Sequence, residues 1–330
     1  MSDLPGTAKS LVEKGKGIFA ADASPHTIGK KLMEAGIAGE TEEDRRKYRE
    51  VIFTTPGLEE FIGGIILHDE STRQKTDSGE LFVEVIKKTG IMPGVKVDGG
   101  TIDMDGFVGE KIAEGLDGLA KRLTEYVAWG AKFTKWRAVI NVGDNLPTRE
   151  CAKANALLLA RFAAISQAAG LVPVVEPEVL MDGDHSIDVC QKATEMVGRM
   201  VFEALEDQRI DLAGMLYKPN MVVAGKDCSK QASVEEVAEK TVETMNKIVS
   251  VRVPGIVFLS GGQEAKIATA RLNAIAKAGA GASWRWAFSF ERALEGPVMA
   301  NMEAAHKILL HRARMNSLAS LGRYNEEEDK

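Results

Sequence analysis

Eight short apolar segments alternate with longer amphipathic segments along almost all of this 330-residue chain. The apolar segments are rich in Val, Ile, Phe and Gly, which is typical of strands buried on both faces. They are GKGIFAADAS (15–24), FIGGIIL (61–67), MPGVKVD (92–98), KFTKWRAVI (132–140), LVPVVEPEVL (171–180), LAGMLYKPNM (212–221), GIVFLSGG (255–262) and WRWAFSFERAL (284–294).

The segments between them have the pattern of helices. NALLLARFAAISQAAG, for example, repeats apolar residues at i, i+3 and i+4 and stops at a glycine. Eight strand–helix units without a break in composition predict one α/β domain over residues 1–330, a (β/α)8 TIM barrel. A barrel takes about 250 residues, so the surplus predicts an extra N-terminal helix and a C-terminal helical extension. A doubly wound sheet would place GxGxxG after the first strand, and GIFAADAS lacks it.

Composition excludes several classes of function. The formal net charge is −6 and no basic block occurs, so we expect no nucleic-acid partner. No apolar run approaches the roughly 20 residues of a membrane helix, and the N-terminus has no signal pattern, so we expect a cytoplasmic protein without membrane contact. The five histidines show no ligand spacing, which argues against a metal cofactor, although an oxygen-ligated Mg²⁺ stays open. The last residues, NEEEDK (325–330), are expected to form a flexible acidic tail.

Lys218 ends the sixth apolar segment, where a lysine is unusual. Burial disfavours an ammonium, so a lysine in such a place is more readily the free amine that attacks a carbonyl. The simpler interpretation is a lysine that reaches solvent from a strand end.

Three other strands favour the catalytic interpretation because charged residues stand two apart on each of them. Residues i and i+2 of a strand point to one face, so each pair can enter the same barrel mouth. The pairs are Lys96/Asp98, Lys135/Arg137 and Glu176/Glu178, and Asp22 ends the first strand. Together with Lys218 they make four cations and four anions, a balance that buried charges require and that a purely structural ion-pair layer would also show.

A phosphate site is indicated on the last two strands. Ser260, Gly261 and Gly262 follow the seventh strand, where backbone N–H groups can approach an anion closely. Ser289 and Arg292 end the eighth segment, and this is the usual phosphate position of a barrel. From these residues alone, three functions stay open: a Schiff-base lyase, a metal-assisted lyase or isomerase acting on a sugar phosphate, and a non-catalytic binding protein.

Ten motifs make the chain resemble the class I fructose-bisphosphate aldolases. In order they are GKGIFAAD, EDRRKYR, GVKVD, GLDGL, FTKWRAVI, VPVVEPE, DGDH, YKPNMV, FLSGGQ and FSFERAL. The resemblance implies a metal-independent glycolytic enzyme, a tetramer in that family. It would cleave fructose 1,6-bisphosphate to dihydroxyacetone phosphate and glyceraldehyde 3-phosphate.

The resemblance also implies roles for individual residues. Lys218 matches the Schiff-base lysine, Glu176 the acid/base of carbinolamine dehydration, and Asp22 the acid/base at the C4 hydroxyl. The remaining matches are Glu178 near the imine nitrogen, Lys135 beside the lysine, Lys96 and Arg137 as substrate-binding cations, Ser260, Gly261 and Arg292 at one phosphate, and Ser24, Thr27 and Lys30 at the other.

The chain departs from the family's pattern at four places. Ala23 stands where many members have Glu, Lys31 where they have Arg, and Glu291 where a glycine precedes the phosphate arginine. If that last position requires a positive φ, Glu291 is strained. The long tail with a terminal tyrosine that animal members carry is missing, since the chain stops shortly after Tyr324.

Overall fold

The structure is a computed structural model that describes residues 3–329. Eight parallel strands form a closed barrel, which confirms the predicted TIM barrel. An antiparallel hairpin of two short strands, Thr101–Asp103 and Lys111–Ala113, interrupts the series. The strands are β1 (Gly17–Ala21), β2 (Ile62–Leu67), β3 (Met92–Lys96), β4 (Thr101–Asp103), β5 (Lys111–Ala113), β6 (Phe133–Ile140), β7 (Val172–Val179), β8 (Leu216–Tyr217), β9 (Gly255–Phe258) and β10 (Arg285–Phe290). Around the barrel the order is β1, β10, β9, β8, β7, β6, β3, β2.

Twelve helices surround or extend the described barrel. They are α1 (Leu4–Leu11), α2 (Pro25–Glu34), α3 (Glu42–Phe53), α4 (Asp69–Arg73), α5 (Phe82–Lys88), α6 (Leu119–Ala128), α7 (Arg149–Ala168), α8 (Ile187–Asp207), α9 (Val234–Ile248), α10 (Ala265–Ala278), α11 (Arg292–Ala300) and α12 (Ala305–Ser320). Helix α1 is the predicted extra N-terminal helix, and α11 and α12 form the C-terminal extension. No helix within residues 3–329 combines the length and apolar character that a membrane crossing requires.

The barrel interior is apolar at the end where the strands begin. There Leu11 of α1 packs in one buried cluster with Phe133, Val172 and Val257 from three strands. Gly94 belongs to this arrangement, because a Cβ at that position would overlap the Phe133 ring. Helix α1 and these side chains close this end of the barrel. The opposite end, where parallel strands finish, is therefore left for polar chemistry.

The C-terminal segment differs from the solvated tail expected at 325–330. A single 3₁₀ turn over Glu326–Glu328 brings Asp329 under the helices, where it is buried. Arg312, also buried, donates to both Asp329 oxygens at 2.7 and 2.6 Å. Tyr324 Oη donates to the same carboxylate at 2.9 Å. The expectation of a wholly solvated tail is therefore wrong, because a buried arginine needs an anion and Asp329 supplies it. Lys330 lies outside the described residues.

We expect Asp329→Asn to lower the free energy of unfolding by about 3 kcal/mol at neutral pH, since the substitution leaves the buried Arg312 without its anion. Burial alone would raise the pKa of Asp329, but Arg312 outweighs burial and holds that pKa below its usual value. The stabilisation is thus present above the unfolded carboxyl pKa and is lost as the pH falls through the folded value.

Urea unfolding at several pH values measures this difference. Glu327→Gln is the matched control, because Glu327 is an exposed carboxylate of the same segment. Equal stability of Asp329→Asn and wild type at neutral pH would contradict the prediction. Turnover per folded molecule is expected to stay within about twofold, equivalent to about 0.4 kcal/mol of barrier, because no residue of 325–329 lines the cavity described below.

Candidate active site

A cavity of about 330 Å³ opens where the barrel strands end. All five residues with a predicted catalytic role line it: Asp22, Lys135, Glu176, Glu178 and Lys218. So do nine of the ten predicted substrate-binding residues: Ser24, Thr27, Lys96, Arg137, Ser260, Gly261, Gly262, Ser289 and Arg292. Lys30 is the exception. The carboxyl ends of the strands thus bring together residues that span most of the chain.

Two lysines and two carboxylates form the buried centre of the cavity. Lys218 Nζ lies 3.2 Å from Glu176 Oε1, and Lys135 Nζ lies 3.1 Å from Glu176 Oε2. On its other side Lys135 Nζ lies 2.6 Å from Asp22 Oδ2. All four side chains are at least 94% buried. One carboxylate therefore bridges both lysines, and Lys135 links the two carboxylates.

Asp22 and Lys135 hold each other in their charged forms. Burial alone would raise the pKa of Asp22, but the charges of Lys135 and Lys218 outweigh it and lower the pKa to about 2. Burial alone would lower the pKa of Lys135, but Asp22 and Glu176 outweigh it and raise that pKa above its usual range. At neutral pH Asp22 is thus a carboxylate that can accept a proton, and Lys135 is a permanent cation.

The pairs two residues apart point into the cavity as the strand periodicity predicts. Lys96 Nζ lies 2.5 Å from Asp98 Oδ1, and Arg137 Nε is ion-paired with Glu178. The intervening Trp136 faces outward and packs against Phe162 of α7, with 5.6 Å between ring centroids. Alternation along β6 and β7 thus separates the charged cavity from the apolar layer under the helices.

One end of the cavity has the features of a phosphate site. Gly261 and Gly262 have φ values of +55° and +85°, which favour glycine and turn the loop after β9 toward the cavity. Arg292 extends over this loop and donates to the Gly262 carbonyl at 3.1 Å. Ser289 Oγ is buried and has no hydrogen-bond partner among the described residues. The Ser289 hydroxyl and the Arg292 guanidinium can therefore donate hydrogen bonds to a bound oxyanion.

The opposite end is formed by the start of α2. Ser24 caps this helix and accepts from the Thr27 backbone N–H at 3.2 Å. Lys30 turns away, is exposed and lies 3.8 Å from Glu34, so the structure does not bring it to the cavity. Lys31 lines the cavity instead. Lys31 stands four residues after Thr27, a spacing that places both on one helix face and could have identified it.

Glu291 was predicted to be strained only if its position required a positive φ. Its φ is −108°, so no such strain arises. Its carboxylate is ion-paired with Lys31, across 260 residues of sequence. Beneath this pair Glu295 is buried, with Oε2 lacking a partner among the described residues. Burial and the charge of Glu291 raise the pKa of Glu295 to about 8.

The comparisons with known proteins agree with this geometry. The sequence model described as "Fructose-bisphosphate aldolase class-I" matches residues 3–330. The fructose-bisphosphate aldolase of Dictyostelium discoideum is 47% identical over 336 residues, covering 99% of this chain and 94% of that protein. The cytosolic fructose-bisphosphate aldolase 4 of Arabidopsis thaliana is 44% identical, covering 98% and 84%.

A solved structure gives the same answer in three dimensions. The Plasmodium falciparum fructose-bisphosphate aldolase, in complex with TRAP and a small-molecule inhibitor, superposes with a TM-score of 0.95 at 42% identity. The match covers 98% of this chain and 95% of that one.

This chain belongs to the class I fructose-bisphosphate aldolase family. Its activity is accordingly the reversible aldol cleavage of fructose 1,6-bisphosphate in glycolysis. A lysine Schiff base is the mechanism characteristic of class I. The interpretations as a metal-assisted enzyme on another sugar phosphate and as a non-catalytic protein are thereby set aside.

Proposed function

We propose that Lys218 is the Schiff-base lysine of this aldolase and that Glu176, Asp22 and Lys135 serve it. The observation that carries the proposal is the buried chain of contacts from Lys218 through Glu176 and Lys135 to Asp22. Lys218 directly follows the short strand β8 and lines the cavity, where a carbonyl carbon can approach its Nζ. Of the cavity's lysines, Lys218 and Lys135 contact Glu176, and Lys135 is held between Glu176 and Asp22.

Imine formation follows from these positions. Glu176 takes a proton from the Lys218 ammonium, and the free amine adds to the C2 carbonyl of the ketose. A C–N bond forms, the C=O π pair moves to the oxygen, and the nitrogen passes a proton to that oxygen, which becomes the C2 hydroxyl. Glu176, 3.2 Å from this nitrogen, gives a proton to the departing hydroxyl, so that water leaves and the C2=N iminium remains. Lys135 stays charged and orients the Glu176 carboxylate through its 3.1 Å contact. Glu178, held by Arg137, adds negative charge beside the iminium.

Cleavage of the C3–C4 bond uses Asp22, at the opposite end of the chain of contacts from Lys218. Asp22 as a carboxylate accepts the C4 hydroxyl proton, and the C3–C4 electron pair moves into a C2=C3 double bond while the imine pair moves to nitrogen. Glyceraldehyde 3-phosphate leaves, and the enamine stays on Lys218. Its C3 is then protonated by a group of the cavity wall or by water, and hydrolysis releases dihydroxyacetone phosphate. Tyr324 is excluded from that step in this conformation, because its hydroxyl is bound to Asp329.

The order of strands sets the direction of the substrate. The loop carrying Ser260 follows β9, which is next to β8, whereas Ser24 and Thr27 follow β1, three strands from β8. The C1 phosphate, one carbon from the imine carbon, therefore fits the Ser260 and Arg292 end. The C6 phosphate, four carbons away, fits the Ser24 and Thr27 end. Asp22, on β1, then lies on the path between C2 and C6, as its action at C4 requires. Lys96, with Asp98, lines the wall between these ends.

We expect Asp22→Asn to cleave fructose 1,6-bisphosphate about 10²- to 10⁴-fold more slowly, because it loses the base at C4. The imine should still form, because Lys135 keeps its contact with Glu176 and Glu176 keeps its contact with Lys218. Borohydride added with fructose 1,6-bisphosphate should then trap a six-carbon adduct on Lys218, seen by mass mapping. Exchange of enzyme into EDTA beforehand should change neither result, because the predicted mechanism has no metal. A three-carbon adduct formed at the wild-type rate would refute the role of Asp22.

Within residues 3–329 no group of three or more His, Cys, Asp or Glu side chains is placed to hold a metal. The chelation experiment above tests the prediction of no cofactor.

The proposal extends to assembly and location. We propose one barrel domain over 1–330, a homotetramer in the cytoplasm, and sugar phosphates rather than nucleic acid or membrane as its partners. The cytosolic plant relative supports the location. Light scattering of the purified protein measures the assembly.

A further inference from the structure

The charges around the cavity are almost all paired before any substrate arrives. Six cations line it: Lys31, Lys96, Lys135, Arg137, Lys218 and Arg292. Five carboxylates with contacts to these cations line it as well: Asp22, Asp98, Glu176, Glu178 and Glu291. The formal balance is six minus five, or +1, whereas a bisphosphate carries close to four negative charges at neutral pH. Each carboxylate near a phosphate position therefore repels the phosphate and weakens substrate binding.

The two phosphate ends differ in this respect. Among the described residues Arg292 has no carboxylate within 4 Å, so its charge is available to the C1 phosphate. Lys31, at the other end, is ion-paired with Glu291, and both side chains are partly exposed, at 26% and 32%. Glu291 is the carboxylate within 4 Å of Lys31 among the described residues. Burial and the charge of Glu291 raise the pKa of the nearby Glu295, which favours its protonated form.

The Lys31–Glu291 pair lines the cavity beside the residues predicted to hold the second phosphate. Lys31 lies one helical turn after Thr27, on the helix whose first turn carries Ser24. A phosphate held by Ser24 and Thr27 would be within reach of the Lys31 ammonium, which Glu291 now holds. Glu291 and Lys31 are also two of the places where this chain departs from the family's usual residues. Glu291, in place of the glycine usual in the family, supplies the carboxylate that pairs with Lys31.

We propose that Glu291 is ion-paired with Lys31 in the substrate-free enzyme and that the phosphate remote from the imine must displace it. Glu291 therefore lowers the preference of this aldolase for bisphosphates over ketoses that carry a C1 phosphate alone. The inference rests on the substrate direction proposed above. Glu291 is then a specificity-determining residue, because it weakens one phosphate contact without touching the reacting carbons.

The test compares steady-state kinetics of wild type and Glu291→Gln with fructose 1,6-bisphosphate and with fructose 1-phosphate. Loss of the Glu291 charge should lower KM for the bisphosphate about three- to fivefold, the range of a partly exposed ion pair, and should change KM for the monophosphate less than about 1.5-fold. In the condensation direction, KM for glyceraldehyde 3-phosphate should fall while KM for unphosphorylated glyceraldehyde stays. Glu34→Gln is the matched control, a carboxylate of α2 paired with Lys30 outside the cavity.

A double substitution separates displacement from plain repulsion. In a Lys31→Met background, Glu291→Gln should change KM for the bisphosphate by less than about 1.5-fold, because the ion pair no longer exists. An equal fall in KM with and without Lys31, an equal fall for both ketoses, or an unchanged or raised KM in Glu291→Gln would each overturn the proposal. Failure of the proposed function is seen separately, as absence of borohydride labelling at Lys218 in wild type.

Discussion

Replacing Lys218 by Met should reduce the cleavage of fructose 1,6-bisphosphate by about 10⁴-fold or more, because the methionine has no amine to form the imine. The variant should still bind substrate, since the residues proposed to bind phosphate, Ser260, Arg292 and Thr27, come from other strands and from α2. Methionine also suits the site sterically, as an unbranched side chain of similar length in a position that is 97% buried. The expected loss is thus in kcat, with a small change in the dissociation constant of the substrate.

Borohydride reduction with dihydroxyacetone phosphate identifies the lysine directly. Mass mapping of wild type should find the adduct on Lys218 alone, and Lys218→Met should carry none. Lys96→Met is the matched control, because Lys96 lines the same cavity and pairs with Asp98 without contacting Glu176. That variant should still be labelled at Lys218. Labelling of Lys96 or Lys135 with Lys218 untouched would show that the imine forms elsewhere.

Glu176→Gln should slow imine formation by about 10²- to 10⁴-fold, because the amide keeps the shape of the side chain but cannot transfer the proton. The contacts and the burial of Glu176 explain why the expected loss of rate is large. Glu176 is the carboxylate that reaches both Lys218 and Lys135, and 96% of its side chain is buried, so water has little access to replace it. The dissociation constant of the substrate should change far less than the rate.

The rate of borohydride trapping under single-turnover conditions measures this step. Glu178→Gln is the control, since Glu178 stands two residues along the same strand face and is held by Arg137 rather than by Lys218. We expect it to slow trapping much less than Glu176→Gln does. Trapping at the wild-type rate in Glu176→Gln would reject the proton-transfer role, and equal slowing in both variants would show that the charge of the strand face, not the proton, is what matters.

Much of this site could be predicted from the sequence because its residues lie on strands. In a barrel, the carboxyl ends of all strands meet at one mouth, and a two-residue period decides which side chains enter it. Those two regularities place Lys96, Lys135, Glu176 and Lys218 in one cavity without knowledge of any distance between them. The glycines after β9 follow the same rule, since their place after a strand brings them to the mouth.

The features that the sequence did not predict lie outside the strands. A helix offers several neighbouring residues to a cavity, and its rotation about its own axis depends on packing. The motif match therefore points to Lys30, whereas Lys31 lines the cavity. The pairing of Lys31 with Glu291 joins α2 to the end of β10 and has no local signal. Asp329 in an acidic run looked solvated because its partner, Arg312, is provided by a helix that only the folded chain brings to it.

The sequence by itself thus determined the barrel, its order of strands and the charged pairs of its mouth, because all of these follow from short-range periodicity repeated along the chain. Only the tertiary structure decided which carboxylate bridges two lysines, which cavity cation has no carboxylate partner among residues 3–329, and where the C-terminal segment is held. Each of these depends on side chains from separate elements meeting within about 3 Å, the distance at which charged hydrogen-bonding groups contact, and no local pattern specifies that approach.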